Sequence, residues 1–132
     1  MSNITIIPYE GIEKVHFGDS RENTRSNLGN YKEFKKSKFS ANTTDDFGFC
    51  HVFYTKDNKV DAIEFFPESE LKFNNKFLFS LNYSELKSFL KDTNLEEDDT
   101  GAKFPNYGLS VYSPDLNKIE TIMLYSKSYW EN

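Results

Sequence analysis

The chain has 132 residues, enough to bury one core without metal or disulfide support, and its formal charge of −5 sets its average field against nucleic-acid phosphates. Its single cysteine, Cys50, excludes an internal disulfide and favours a reducing compartment. With 13 Phe and 8 Tyr the apolar content is dominated by large rings, which prefer strands, so a sheet-centred core is expected.

Ile4 to Ile7 reads as a short strand closed by Pro8, and residues 11–17 as a turn followed by extended chain. The opening residues carry no basic n-region or long apolar h-region, and no stretch approaches the roughly 18 apolar residues of a membrane span. A cytoplasmic chain with no membrane partner is expected, so the sequons at Asn3, Asn42 and Asn82 carry little weight. Asp19 followed by Glu22 has the spacing of a capping box, Thr24 and Leu28 share one face, and Gly29 stands where a C-terminal cap belongs; helix 1 is predicted over Ser20 to Leu28.

Residues 30–46 are polar and lysine-rich, with a short strand near Tyr31 to Lys35; the cluster Lys32, Lys35, Lys36 and Lys38 reads as a solvated strand edge. The run Phe47 to Tyr54 has strong strand composition, residues 55–58 supply a turn, and Val60 to Phe66 returns as the second arm of a hairpin. A second hairpin turns at Asn74-Asn75, between Leu71-Lys72-Phe73 and Lys76 to Phe79. Asn82 and Glu85 repeat the capping logic before the apolar stripe Tyr83, Leu86, Phe89 and Leu90, predicting helix 2 over Tyr83 to Lys91. After an acidic loop come strands at Tyr107 to Tyr112 and Ile119 to Tyr125, joined by a turn at residues 114–117, and a tail containing Trp130.

The order of helix, polar loop, aromatic strand, turn and returning strand occurs twice. Val52-Phe53-Tyr54 through Ile63 aligns without gaps on Val111-Tyr112-Ser113 through Ile122. The expected fold is α+β: one domain over 1–132, an antiparallel sheet with two helices packed on it, arranged as two α-β-β units over about 18–66 and 80–125. Similarity of two unrelated amphipathic hairpins is the other reading of that alignment.

The sequence assigns no catalytic, cofactor-binding or metal-ligating residue. Cys50 and His51 are adjacent on a strand, so their side chains point to opposite faces, which leaves only an approach of His16 to Cys50 for a nucleophile–base pair. Two histidines and one cysteine do not make a structural zinc site. The run Asp92 to Asp99 lacks the alternating acids and the sixth-position glycine of a calcium loop, and reads either as a solvated loop or as a protein contact. The six glycines form neither a dinucleotide fingerprint nor a phosphate-cradling loop.

The stretch Phe17-Gly18-Asp19-Ser20-Arg21-Glu22-Asn23-Thr24-Arg25-Ser26-Asn27-Leu28-Gly29 resembles the helix opening of the SmpA/OmlA group and of β-lactamase-inhibitor-like domains, departing from it at Asp19 and Thr24. That resemblance implies a helix-on-antiparallel-sheet layer. Over most of its length, with the opening Ile7-Pro8-Tyr9-Glu10-Gly11-Ile12, the chain is similar in style to small bacterial immunity proteins of polymorphic and contact-dependent inhibition systems. This second resemblance implies a non-enzymatic cytosolic protein that neutralises a cognate toxin domain by direct binding, and the acidic balance suits a basic partner such as a nuclease. The contact residues expected on that basis are Asp45, Asp46, Glu96, Glu97, Asp98 and Asp99 for electrostatic steering, with Tyr107 and Trp130 as anchors. A structural or scaffolding module of the SmpA/OmlA type and a small hydrolase using carboxylates or Cys50 are the competing expectations.

Overall fold

Residues 3–131 are described by a computed structural model. In chain order they form β1 (Ile4–Ile7), β2 (Gly11–Ile12), β3 (Val15–His16), α1 (Arg21–Leu28), β4 (Lys32–Phe34), β5 (Thr44–Asp46), β6 (Cys50–Tyr54), β7 (Val60–Phe65), β8 (Leu71–Phe73), β9 (Lys76–Phe77), α2 (Tyr83–Leu90), β10 (Glu96–Asp98), β11 (Gly101–Phe104), β12 (Leu109–Tyr112) and β13 (Thr121–Tyr125). Single 3-10 turns lie at Leu78–Ser80 and Tyr129–Glu131.

The helices start where capping chemistry puts them. Asn82 accepts from the Glu85 N–H at 2.8 Å while the Glu85 carboxylate accepts from the Asn82 N–H at 2.9 Å, a complete capping box opening α2. For α1 the cap is Ser20, whose hydroxyl accepts from the Asn23 N–H at 3.1 Å; Asp19, expected in that role, instead accepts from the backbone of His16 at 2.8 Å. One residue separates the two candidates, and the hydroxyl is the one aligned with the first turn.

The sheets divide the chain unequally. Among the described residues, a five-stranded sheet runs β3-β2-β1-β8-β9, parallel only between β1 and β8. An eight-stranded antiparallel sheet runs β10-β11-β12-β13-β7-β6-β5-β4. On one face of the large sheet Val52, Ile63, Phe65, Leu109, Val111, Ile122 and Leu124 form a continuous core with Tyr83, Leu86 and Leu90 of α2 and with Ile6, Ile12, Val15 and Leu71 of the small sheet. Burying such side chains contributes roughly 1.5–3 kcal/mol each, so this face holds the molecule together.

The unit that occurs twice is larger than expected: a helix followed by four antiparallel strands, α1-β4-β5-β6-β7 and then α2-β10-β11-β12-β13. The gap-free alignment is also a register match. Val52 faces Ile63 across the first hairpin as Val111 faces Ile122 across the second, and the last strands meet antiparallel with Phe65 opposite Ile122 and Ile63 opposite Leu124. The pair Glu64–Met123 therefore sits on a local pseudo-twofold axis.

Three departures from the predicted elements have physical causes. The strand expected over Phe47 to Tyr54 begins only at Cys50, because Gly48 at φ +91° turns the chain between β5 and β6. The polar segments Thr44–Asp46 and Glu96–Asp98 are strands despite poor strand propensity, since each pairs along the free edge of an established strand. The strand expected from Tyr107 starts at Leu109, after a turn that bonds the Gly108 N–H to the Phe104 carbonyl. Gly101 is required where it stands: at φ +153° opposite Tyr112, an added Cβ would lie 1.9 Å from the Val111 carbonyl oxygen.

Candidate functional site

Two polar features of the interior are accounted for by folding. α1 (RENTRSNL) has almost no apolar stripe, and it docks on the sheet through charge. Arg21 and Arg25, one turn apart, converge on Asp45, which is fully buried on the core face of β5. Arg25 donates to both carboxylate oxygens at 2.8 and 2.9 Å, Arg21 at 3.0 Å, and the Tyr54 hydroxyl at 2.9 Å. Burial by itself would raise the Asp45 carboxyl, but the bonds from Arg25, Arg21 and Tyr54 outweigh it and hold it below its usual range. Arg21 spends its remaining donors on Asn42 at 3.0 Å, Asn58 at 3.1 Å and the Thr43 hydroxyl at 2.8 Å, and its guanidinium lies 4.3 Å from the Tyr54 ring centre. In the second half Ala102 takes the place of Asp45, and the helix is tied instead by Tyr83 and Lys87 to Glu97 at 2.8 and 2.9 Å.

Cys50 is likewise interior. Its thiol is fully buried and pushed up by desolvation, while His51 faces the other side of the sheet and His16 is exposed, so no base stands beside the sulfur. Among the described residues no group of three or more His, Cys, Asp or Glu side chains is placed to hold a metal ion, and no helix is long and apolar enough to cross a membrane.

The second face of the large sheet carries neither helix. Its middle row can be followed through the register across all eight strands: Lys32, Asp46, His51, Glu64, Met123, Ser110, Lys103 and Glu96. The six inner members are half-buried and the two at the edges exposed. At the centre His51 lies 3.5 Å from Asp46 and 3.9 Å from Glu64, with its ring edge-on to Phe34 and Phe66 at 5.2 and 4.7 Å between centres. This is a mixed polar and aromatic surface with titratable groups in pairs.

On one flank of this row Phe53, Ala62 and Tyr125 are buried beneath the C-terminal turn, where Tyr129 stacks 6.3 Å from Tyr125 and Trp130 meets it edge-on at 5.4 Å. Lys36 reaches over Phe53 at 4.4 Å and Lys103 over Trp130 at 3.8 Å. Tyr9 closes the end of this cluster through its hydroxyl bond to the Pro105 carbonyl. On the other flank Tyr112 is 46 % exposed, and Thr121 and Phe66 are half-buried.

No protein-family model matches the chain, and neither curated proteins nor solved structures give a significant match.

The expected contact residues fall in different places. Asp45 is corrected outright: it is 0 % exposed and bound by two arginines, so it cannot steer a partner. Asp46 lies on the helix-free face beside His51 and also accepts from the Gly48 N–H at 2.8 Å. Glu96 and Asp98 point to the helix-free face along exposed β10, Asp99 is in the following turn, and Glu97 points to the helix side, where Tyr83 and Lys87 hold it. Tyr107 is half-buried, edge-on to Phe73 at 5.5 Å, with its hydroxyl donating to the Leu90 carbonyl at 2.7 Å. Trp130, 48 % exposed, lies beside the helix-free face as part of the C-terminal turn. Sequence reasoning missed the residues that share this face with Asp46, Glu96 and Asp98: His51, Glu64, Phe66, Tyr112 and Met123. The alternation of β6, β7, β12 and β13 around the core residues Val52, Ile63, Val111 and Ile122 was the signal that could have found them.

Proposed function

We propose that this chain acts by binding a protein partner across the helix-free face of its eight-stranded sheet, and that the partner is a basic bacterial toxin domain which it neutralises in the cytosol by covering it. The observation that carries the reading is the asymmetry of the sheet. One face is filled by helices and the small sheet, while the other holds a half-exposed row of paired charges flanked by exposed aromatic rings. Asp46, Glu64, Glu96 and Asp98 outnumber Lys32, Lys36 and Lys103 on this surface, and Lys36 and Lys103 are engaged on Phe53 and Trp130, which favours a positively charged partner. A stable complex needs about 1,200–2,000 Å² of total buried area, a size that a face of eight strands can supply.

The test uses the product of a toxin-like coding region adjacent to this one, mixed with the purified chain. A one-to-one complex with loss of toxin activity is expected. Met123→Arg, at the pseudo-twofold centre of the face, should weaken that complex by at least about 100-fold, an equilibrium change of ~2.7 kcal/mol. Glu22→Lys, on exposed α1 behind the sheet, should leave it unchanged. Binding insensitive to Met123→Arg but lost in Glu22→Lys would move the interface to the helix side and end this proposal.

A further inference from the structure

The pseudo-twofold that relates the two halves of the sheet also relates its two flanks, and they differ in how they are covered. Applying the offset that carries Val52 to Val111 and Ile63 to Ile122 places Phe53 on Tyr112, Ala62 on Thr121 and Phe66 on Tyr125. The first trio of the face, Phe53, Ala62 and Tyr125, is 8, 0 and 3 % exposed because Tyr129 and Trp130 of the C-terminal turn lie on it, with Lys36 over Phe53 and Tyr9 against Tyr125. Its counterpart, Tyr112, Thr121 and Phe66, has no such roof among the described residues: Tyr112 is 46 % exposed and Thr121 and Phe66 are half-buried.

The cause is legible in the chain that follows each last strand. After β13 the Ser126 N–H donates to the Asp61 carbonyl at 3.0 Å and the Ser126 hydroxyl to the Asp61 carboxylate at 2.6 Å, and this double latch turns residues 126–131 over the face. In the other half the positions of Asp61 and Ser126 are held by Glu120 and Pro67. Proline has neither the N–H nor a hydroxyl, so the latch cannot form. The chain instead turns away from the face, with the Ser69 N–H bonding the Phe66 carbonyl and the Ser69 hydroxyl bonding the Phe49 carbonyl at 2.6 Å.

We infer that the unroofed trio Tyr112, Thr121 and Phe66 is a cradle for an aromatic side chain that a partner presents on a basic turn, in the way this chain presents its own Tyr129 to the equivalent trio. The inference rests on the reading that the helix-free face binds a protein, and adds which half is open and what enters it. The aromatic occupant follows from the filled half, where a tyrosine on a one-turn segment covers the same arrangement of two rings and a small residue. The basic character follows from charge: Asp98 lies in register with Gly101 and Tyr112, and Glu64 stands in the adjacent row. Ring-on-ring contact beside exposed carboxylates suits a tyrosine or tryptophan flanked by lysines or arginines.

The probe is a disulfide-cyclised peptide with one tyrosine at its turn and lysines on either side, titrated into the isotope-labelled full chain and followed by backbone amide shifts. The expected result is one site, with shifts centred on Tyr112, Thr121 and Phe66. The peptide with serine in place of tyrosine, and the chain variant Tyr112→Ala, should each bind about tenfold more weakly, the equivalent of ~1.4 kcal/mol. Tyr112 is exposed, so its replacement spares the core. In the Tyr129→Ser/Trp130→Ser variant the opposite flank loses its roof, and a second site around Phe53, Ala62 and Tyr125 should appear. Absence of binding, shifts centred elsewhere, or equal affinity for the serine peptide overturns the inference. Shifts elsewhere on the helix-free face leave the broader reading standing; shifts confined to α1, α2 or the small sheet remove both.

Discussion

Replacing Asp45 with alanine tests whether α1 is held by charge. The backbone accepts alanine here, since Ala102 occupies the equivalent place in the second half. The variant loses the bonds from Arg25, Arg21 and Tyr54 to the carboxylate, and Arg21, only 9 % exposed, is left in the interior with Glu33, 3.8 Å away, as its remaining counter-charge. Removing one partner of a buried pair costs about 3–5 kcal/mol. Arg21 keeps Asn42, Asn58 and Thr43 as acceptors, and Arg25 keeps Glu33 at 3.0 Å, so the expected loss is at the lower end, about 3 kcal/mol at neutral pH. Against a total stability on the order of 5–15 kcal/mol this is large, and urea denaturation should show it as a lower midpoint with an unchanged slope. The carboxyl is depressed in the fold, so its contribution is complete above its unfolded value near 3.8 and disappears as pH falls through the lower folded value. The gap between wild type and variant should therefore be flat from about pH 5 to 8 and close below about pH 4. A loss under about 1 kcal/mol at pH 7, or a gap that persists unchanged into strong acid, refutes the argument.

Other expectations follow from the same geometry. Cys50 should be unreactive to a thiol reagent in the native chain and react fully in denaturant, with rapid native labelling as the contrary result. Asn82→Ala should cost about 1 kcal/mol by thermal melting through loss of the α2 capping box, and Asn82→Asp less. Gly101→Ala should destabilise by at least about 2 kcal/mol, because the methyl meets the Val111 carbonyl and the positive φ is strained for alanine; a neutral result would mean β11 and β12 pair differently. Neutralising Glu96, Asp98 and Asp99 together should slow association with a basic partner and flatten its dependence on salt, while changing dissociation little.

Much of the architecture is legible in the residues because local signals agree with one another. Asn82 with Glu85 marks α2, Asn74-Asn75 adopt the positive φ angles of a tight hairpin, and the alternation around Val52, Ile63, Val111 and Ile122 sets the central register. What is not legible depends on partners distant in sequence. The strand Glu96–Asp98 has no propensity of its own and exists because Gly101–Phe104 offers it a ladder. Asp45 looks like half of a surface acid pair, and only the convergence of Arg21 and Arg25 reveals an interior ion. The clue was the helix itself: RENTRSNL has caps and a defined length but too few apolar residues to dock by burial, and its two arginines one turn apart require an acid beneath them. The helix-free face was hidden for a related reason, since its row is assembled from single residues of eight separate strands.

The joint between β7 and β13 also governs how the molecule comes into being. Its two outer borders, Lys32–Phe34 and Glu96–Asp98, are rich in charge, whereas the border that β7 keeps for β13 is Ala62, Ile63, Glu64 and Phe65, with a single charge. During synthesis β13 is the last of these strands to leave the ribosome, so the mostly apolar edge of β7 stays unpaired until its mate emerges. A pause of translation before Thr121 thus leaves that edge open to pairing with a neighbour instead of with its own last strand.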